Sequence, residues 1–508
     1  MSKTLRGRLL AAAFTTAITA AAAAPAAGET LSDAVALAYE TNPTLQAQRA
    51  TQRSIDEEYV QARTGWRPTL QLQAVATYDK LSIPRAARNF LTQSAETNAG
   101  SLALTFTQPI WTGGRTAANV SAAQADILQG RENLRRVESQ VLISVIQAYM
   151  DVLRDQEGLK IRQEDLVVLQ KQLDESRARF DVGEITRTDV AQSEARLAAA
   201  QALLQTAQAQ LAISRANYAA AVGQNPGELV PEPSLAYLLP ANPDDAFTIA
   251  EQYSPQLRAQ EFAEEGSRAR VAAARANRLP NLSLQGTLRF SNAPLDPFTQ
   301  SLYQRDKQVN AVLTVPLFTG GLTSSQIRQA IERNNSDRIS IETQRRGVLQ
   351  TVSQTWNQLI AARANITSDT EQVRAAEIAA EGTREELSVG LRTTIDVLNA
   401  DVELRNAQLS LVAARHDEYL AAATLLAVMG RLEAKDLIPT VPHYDPRSNF
   451  RRLRITWGWV PWEEPIGIVD RYAAFPPIPQ AKALPQEKPI PPGLQPPPAP
   501  ATVPPPKR

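Results

Sequence analysis

Phe180-Asp181-Val182-Gly183-Glu184-Ile185-Thr186-Arg187-Thr188-Asp189-Val190 is answered later in the chain by Leu387-Ser388-Val389-Gly390-Leu391-Arg392-Thr393-Thr394-Ile395-Asp396-Val397. The two stretches lie 207 residues apart, counted from Gly183 to Gly390, and the same offset carries Pro109 to Pro316, Gly113-Gly114 to Gly320-Gly321, Tyr149 to Trp356 and Gly223 to Gly430. Upstream the offset is 212, matching Asn42-Pro43 with Ser254-Pro255 and Pro68 with Pro280, so the length difference falls between strands, where a loop absorbs it. A duplication this long predicts two units of one fold packed side by side. Residues 27–230 form the first copy, 231–435 the second, and 436–508 a tail of different character.

Each copy ends in a helical hairpin, read over 115–222 and 322–430. No proline occurs between Pro109 and Pro226, nor between Pro316 and Pro439. An unbroken helix from Arg115 to Val182 would rise on the order of 100 Å; Gly130 and Gly158 weigh against it by about 1 kcal/mol each. The return helix carries a seven-residue repeat: Val190, Leu197, Leu204, Leu211 and Tyr218, with Ser193, Ala200, Ala207, Ser214 and Ala221 three residues after each. The second copy has Val397, Leu404, Leu411 and Leu425 over Ala400, Ala407, Ala414 and Ala421, broken at Glu418. A 3.5-residue period means a left-handed supercoil, and a large residue alternating with a small one lets helices approach closely. Two readings fit: an ordinary antiparallel coiled coil, or the wall of a water-filled tube.

Ahead of each hairpin the periodicity switches to two. Leu70, Leu72, Ala74, Ala76 and Tyr78 alternate with Gln71, Gln73 and Thr77; Leu102, Leu104 and Phe106 alternate with Ser101, Thr105 and Thr107. In the second copy Leu282, Leu284, Leu288 and Phe290 alternate with Ser283, Gln285, Thr287 and Arg289, and Val309, Ala311, Leu313 and Val315 with Gln308, Asn310 and Thr314. Strands are therefore expected at 69–80, 99–108, 281–291 and 308–316, near the 9–11 residues that cross a bilayer obliquely. A soluble two-sided sheet uses the same alternation. The long polar loops, roughly 81–98 and 292–307, favour an outer-membrane barrel. Four strands cannot close a barrel and lipid tolerates no open edge, so several chains must contribute to one barrel.

Composition narrows the function. Lys+Arg and Asp+Glu both number 53, so no basic field points to nucleic acid. Cysteine is absent, which removes disulfides, thiolate metal sites, a cysteine nucleophile and an N-terminal lipid on cysteine. His416 and His443 are the only histidines, and no cluster combines nucleophile, base and orienting group, so no enzyme, cofactor or metal site is expected. Lys3, Arg6 and Arg8 precede the uncharged stretch Leu9 to Ala24 and the pattern Ala24-Pro25-Ala26, read as a signal peptide over residues 1–26. The stretch is alanine-rich and too short for a spanning anchor. Past Lys435, 19 of the 34 prolines accumulate, predicting an extended, disordered tail interrupted by Trp457, Trp459 and Trp462.

With the duplicated strand pairs, Gln108-Pro109-Ile110-Trp111-Thr112-Gly113-Gly114 against Val315-Pro316-Leu317-Phe318-Thr319-Gly320-Gly321, and the two Val-Gly turns, the sequence closely resembles the TolC family of outer-membrane efflux and secretion channels from about Leu31 to Gly430. The resemblance implies an α+β membrane protein. In it a homotrimer, four strands per chain, builds a 12-stranded outer-membrane β-barrel in contact with lipid, continued by a periplasmic α-helical coiled-coil barrel. It implies transport when a periplasmic adaptor (membrane fusion) protein and an inner-membrane ABC or RND-type pump dock below. The alternative from another class is a secreted periplasmic coiled-coil scaffold without a pore, which would be soluble without detergent.

The resemblance also assigns residues. Val182-Gly183 and Val389-Gly390-Leu391 match the tip motif where the adaptor docks; read alone, a glycine there simply ends a helix. Asp396 matches the first carboxylate of the ring that narrows the entrance, the family's second acid falls on Asn399, and Asp401 stands two further on. Read alone, Asp189 and Asp396 are first-turn acids favoured by the helix dipole. Arg392 matches an arginine that latches the hairpins through Thr188-Asp189, or is a solvated charge; the family's second tether, a tyrosine, falls on Leu387, which implies a weaker closed state.

Overall fold

The computed structural model describes residues 28–81, 95–231, 235–292, 304–438, 442–453, 455–456 and 458–472. The expected signal peptide, the tips of the two polar loops, Trp457 and the last prolines lie outside them. In chain order the elements are α1 (Leu31–Thr41), α2 (Pro43–Arg63), β1 (Thr69–Leu81), β2 (Ala95–Trp111), α3 (Arg115–Asp181), α4 (Arg187–Val222), α5 (Pro243–Tyr253), α6 (Pro255–Ala276), β3 (Asn281–Ser291), β4 (Gln304–Thr314), α7 (Leu322–Ser388), α8 (Thr394–Val428), α9 (Ala434–Leu437), α10 (Arg447–Leu453) and α11 (Glu463–Tyr472). Gly130 and Gly158 do not interrupt α3, whose packing outweighs their cost. No described helix is long and apolar enough to cross a membrane. Packing divides the chain into one unit of Met1–Gln52, Arg131–Arg258 and Thr343–Pro446 and another of Arg53–Gly130, Ala259–Glu342 and Arg447–Arg508.

The first unit is helical. Seam residues Ser193, Leu197, Ala200, Leu211, Ser214 and Tyr218 of α4, and Val397, Leu404, Ala407, Ala414 and Leu425 of α8, are all buried, as the seven-residue repeat requires. The largest core gathers α1 with α3, α4 and α8 around Tyr149, Tyr218, Leu142, Ile146 and Leu426. Tyr149 and Tyr218 stand 6.4 Å apart by ring centroids. The Tyr218 hydroxyl donates to Glu29, and that of Tyr149 lies 2.6 Å from the Val230 carbonyl oxygen, so both buried phenols are satisfied.

The second unit holds the sheet. Its order is β1-β2-β3-β4, antiparallel throughout, so the second copy's pair continues the first's. Directly opposed residues share a face. One row runs Leu70, Phe106, Gly286, Val309; the next runs Leu72, Leu104, Leu288, Lys307. Opposite lie Thr69, Thr107, Gln285, Asn310 and Gln71, Thr105, Thr287, Gln308. The period-two alternation of four separate segments thus becomes one sheet with an apolar and a polar surface. The apolar surface is bare: Leu72 is 67% and Val309 77% exposed. Boundaries differ at three strands: β1 runs on to Leu81, and β2 begins at Ala95 and β4 at Gln304, four residues earlier than expected, so pairing takes up the ends of both expected loops. β2 extends to Trp111 because a bulge between Pro109 and Trp111 accommodates the proline's missing donor, and β4 stops at Thr314, ahead of Val315-Pro316.

The tail departs from the expected disorder as far as Tyr472. α11 lies against the junction of β2 with the turn before β1, and two of its acids are fully buried. Glu463 pairs with Arg63 and, at 2.9 Å, with Arg67. Asp470 accepts from Trp66 Nε1 and from the backbone amides of Thr112, Gly114 and Ala117, capping the start of α3. Trp462 donates to Gln108 at 3.0 Å, and Gly467 packs over the Trp66 ring. Proline content misleads here because docking on β2 and the turn before β1 satisfies what the segment could not satisfy alone.

Candidate functional site: the hairpin tips

Both long helices end in the same backbone device. Gly183 takes φ 83° and Gly390 φ 78°, the left-handed region where glycine carries no Cβ penalty. The amide of Gly183 bonds the Phe180 carbonyl and that of Glu184 the Arg179 carbonyl; Gly390 bonds Leu387 and Leu391 bonds Glu386 in the same pattern. These paired bonds satisfy the carbonyls orphaned where α3 and α7 stop. Among the described residues nothing lies within 4 Å of a side chain added at either glycine. Val182, Val389 and Leu391 are 72, 68 and 75% exposed, so each tip presents aliphatic surface that the other described residues leave bare.

The return helices start on matching capping boxes. Asp189 Oδ2 accepts from the Thr186 amide at 2.9 Å and its hydroxyl at 2.8 Å; Asp396 Oδ2 accepts from Thr393 at 3.0 and 2.7 Å. The Thr393 hydroxyl and amide hold the Asp396 carboxyl below the usual carboxylate range, with Arg392 adding to the effect. Asp396 is therefore a half-buried, firmly ionised carboxylate fixed at a helix start.

Of the residues expected around the entrance, the structure separates three. Asn399 accepts from Arg196 at 3.0 Å, joining α8 to α4. Asp401 departs from expectation. It is 1% exposed within the chain, its carboxylate is bound to Arg384 on α7, and burial still pushes its pKa up, so it ties the two arms of the second hairpin to each other. Arg392 does not meet Thr188-Asp189 within the chain: it pairs with Glu386 at 2.7 Å, while Asp189 is engaged by its own Thr186.

A polar cluster not anticipated from the sequence lies further along the hairpins. His416 on α8 is buried, with Nε2 2.9 Å from Asp151 on α3 and Nδ1 2.9 Å from Asp417. Arg154 closes the group on Asp151 and Asp155, both at 2.8 Å, and Ser214 of α4 bonds Asp155. Burial opposes the charge on His416, but the two carboxylates outweigh it and raise its pKa. The residues that position these groups lie far apart in sequence, and only the Asp-His adjacency at 416–417 was a local signal. Among the described residues no group of acids and histidines is placed to hold a metal ion.

Comparison with known proteins matches this arrangement. The sequence model of the family described as outer membrane efflux protein covers residues 34–224 and 248–431, one block for each copy. The outer membrane efflux protein BepC of Brucella suis is 34% identical over 449 residues, 88% of this chain and 96% of that protein. The outer membrane protein TolC of Escherichia coli is 26% identical over 420 residues, 78% of this chain and 81% of that protein. Among solved structures, the outer membrane protein VceC of Vibrio cholerae superposes with a TM-score of 0.67 at 22% identity, covering 79% of this chain and 96% of that one.

Proposed function

From the premise that the chain belongs to the outer membrane efflux protein family, the family of TolC, and is an outer-membrane channel for efflux or secretion, we propose that it works as the exit duct of a tripartite machine. Three copies close one 12-stranded barrel, and their hairpins form the periplasmic tunnel beneath it. The observation that carries this reading is the four-stranded sheet: one surface apolar and bare, the other polar, and both outer strands, β1 and β4, with an unpaired edge. Such a sheet suits lipid on one side and water on the other only when further copies pair its edges.

The tips are the proposed docking point for a periplasmic adaptor, which in turn couples to an inner-membrane ABC or RND-type pump. Val182, Gly183, Val389, Gly390 and Leu391 supply an exposed aliphatic surface there. Asp396, with Asn399 nearby, narrows the entrance as a ring of carboxylates, one from each copy. Arg392 reaches Thr188-Asp189 of a neighbouring copy by leaving Glu386, so the closed state depends on a choice between two partners. A photo-crosslinking residue at Leu391 tests the docking. Covalent capture of an adaptor in cells supports it, and capture of none, with normal export, removes the tips from the docking site.

A further inference from the structure

The duplication sets two equivalent turns in different company. In the first copy Gly113, at φ 67°, is clasped: a Cβ there would lie 2.7 Å from Leu279 Cβ and 3.3 Å from the Ala276 carbonyl oxygen. The end of α6 and the residues before β3 close over the turn, which only a glycine backbone permits at that distance and angle. In the second copy the same turn is open. Gly320, at φ 61°, and Gly321, at φ 84°, have nothing within 4 Å, and Leu317 and Phe318 beside them are 92 and 90% exposed.

The offsets of the duplication say what is missing. Adding 207 takes Gly113 to Gly320; subtracting 212 takes Leu279 and Ala276 to Arg67 and Thr64. Thr64 and Arg67 precede β1, at the opposite edge of the sheet from β4, so within one chain they do not serve Gly320. We propose that Gly320 of each copy is clasped by the segment Thr64 to Arg67 of the next copy, repeating between chains the contact that Gly113 makes with Leu279 inside one.

The sheet supports this geometrically. Transposed by the same offsets, the pairs Phe106 with Gly286 and Thr107 with Gln285 become Leu313 with Ala74 and Thr314 with Gln73, a register for β4 against the neighbour's β1. That register keeps Leu313 and Ala74 on the apolar surface and Thr314 and Gln73 on the polar one. It also delivers the end of β4 to the start of the neighbour's β1, where Thr64 and Arg67 stand. The corner is built in advance: Glu463 fixes Arg67, and α11 presents Ile468, Val469 and Tyr472 at 62, 54 and 94% exposure, an apolar complement for Leu317 and Phe318. The occupant of the open turn is thus a second copy of this chain, and α11 belongs to the boundary between copies.

The inference rests on the shared-barrel reading, and the test separates the two. The chain has no cysteine, so introduced pairs report alone. Full-length protein carrying Gln73→Cys with Thr314→Cys reports the strand seam, and protein carrying Thr64→Cys with Thr319→Cys reports the turn. Both pairs are treated with a short bismaleimide in outer-membrane vesicles. A ladder of covalent dimer and trimer on a denaturing gel is expected from each. A ladder from the seam pair with only monomer from the turn pair overturns the clasp and leaves the shared barrel standing. Only monomer from both overturns the shared barrel and the clasp with it.

Discussion

Asp470 accepts a hydrogen bond from the indole nitrogen of Trp66 at 3.2 Å, and with it a residue from the proline-rich end of the chain closes the junction of β1, β2 and α3. The same carboxylate takes the amides of Thr112, Gly114 and Ala117. Asp470→Ala leaves these donors buried without an acceptor, at about 1–3 kcal/mol for each left unmet. A loss of roughly 3–5 kcal/mol is expected in denaturant unfolding of the detergent-solubilised protein. A loss under about 1 kcal/mol would show that water replaces the carboxylate.

Truncation separates the two parts of the tail. Ending the chain after Lys435 removes Glu463 and Asp470 and strands the buried Arg63 and Arg67, so assembly is expected to fail. Ending it after Tyr472 keeps the contacts of Glu463 and Asp470 and is expected to leave assembly intact. Equal oligomer yield from both truncations on native gels would show that α11 is dispensable.

His416 makes the contact between α8 and α3 depend on pH. Facing it are Asp151, Arg154 and Asp155 of α3 and Asp417 of α8. Its pKa in the fold lies above the ordinary value of about 6.5, so its stabilising charge is complete below that pH and lost as pH rises through the folded value. Melting temperature is expected to fall as pH rises above about 6.5 in the parent and to fall less in His416→Gln. Identical slopes in the two proteins would exclude the histidine as the cause.

Asp396 and Asp401 are expected to behave differently despite standing five positions apart. Asp396 is only half-buried and is ionised, so Asp396→Asn should lower cation preference in planar bilayers while folding persists. Asp401 is buried against Arg384, so Asp401→Asn should leave selectivity alone and cost stability, about 3–5 kcal/mol at most. Selectivity lost from Asp401→Asn alone would reverse the assignment.

The duplication, the four strands, the hairpins and the seams were legible because each is a short-period pattern that one face of an element imposes on its own sequence. Leu197 and Leu404 show their burial in spacing alone. Asp401 and α11 were not legible, because their environment is made by residues far away: Arg384 comes from the other arm of the hairpin, and Trp66 and Thr112 lie more than 350 positions before Asp470. Proline content likewise states what a segment cannot do alone, while Glu463 and Asp470 gain partners only by docking.

In the proposed assembly several copies of the chain share one barrel. Native mass spectrometry of the detergent-extracted protein decides whether they do. A single species of three chains that survives dilution in detergent is expected, since four strands per chain leave two edges to pair. A monodisperse monomer, above all one that stays soluble without detergent, would contradict it and favour a pore-free coiled-coil scaffold.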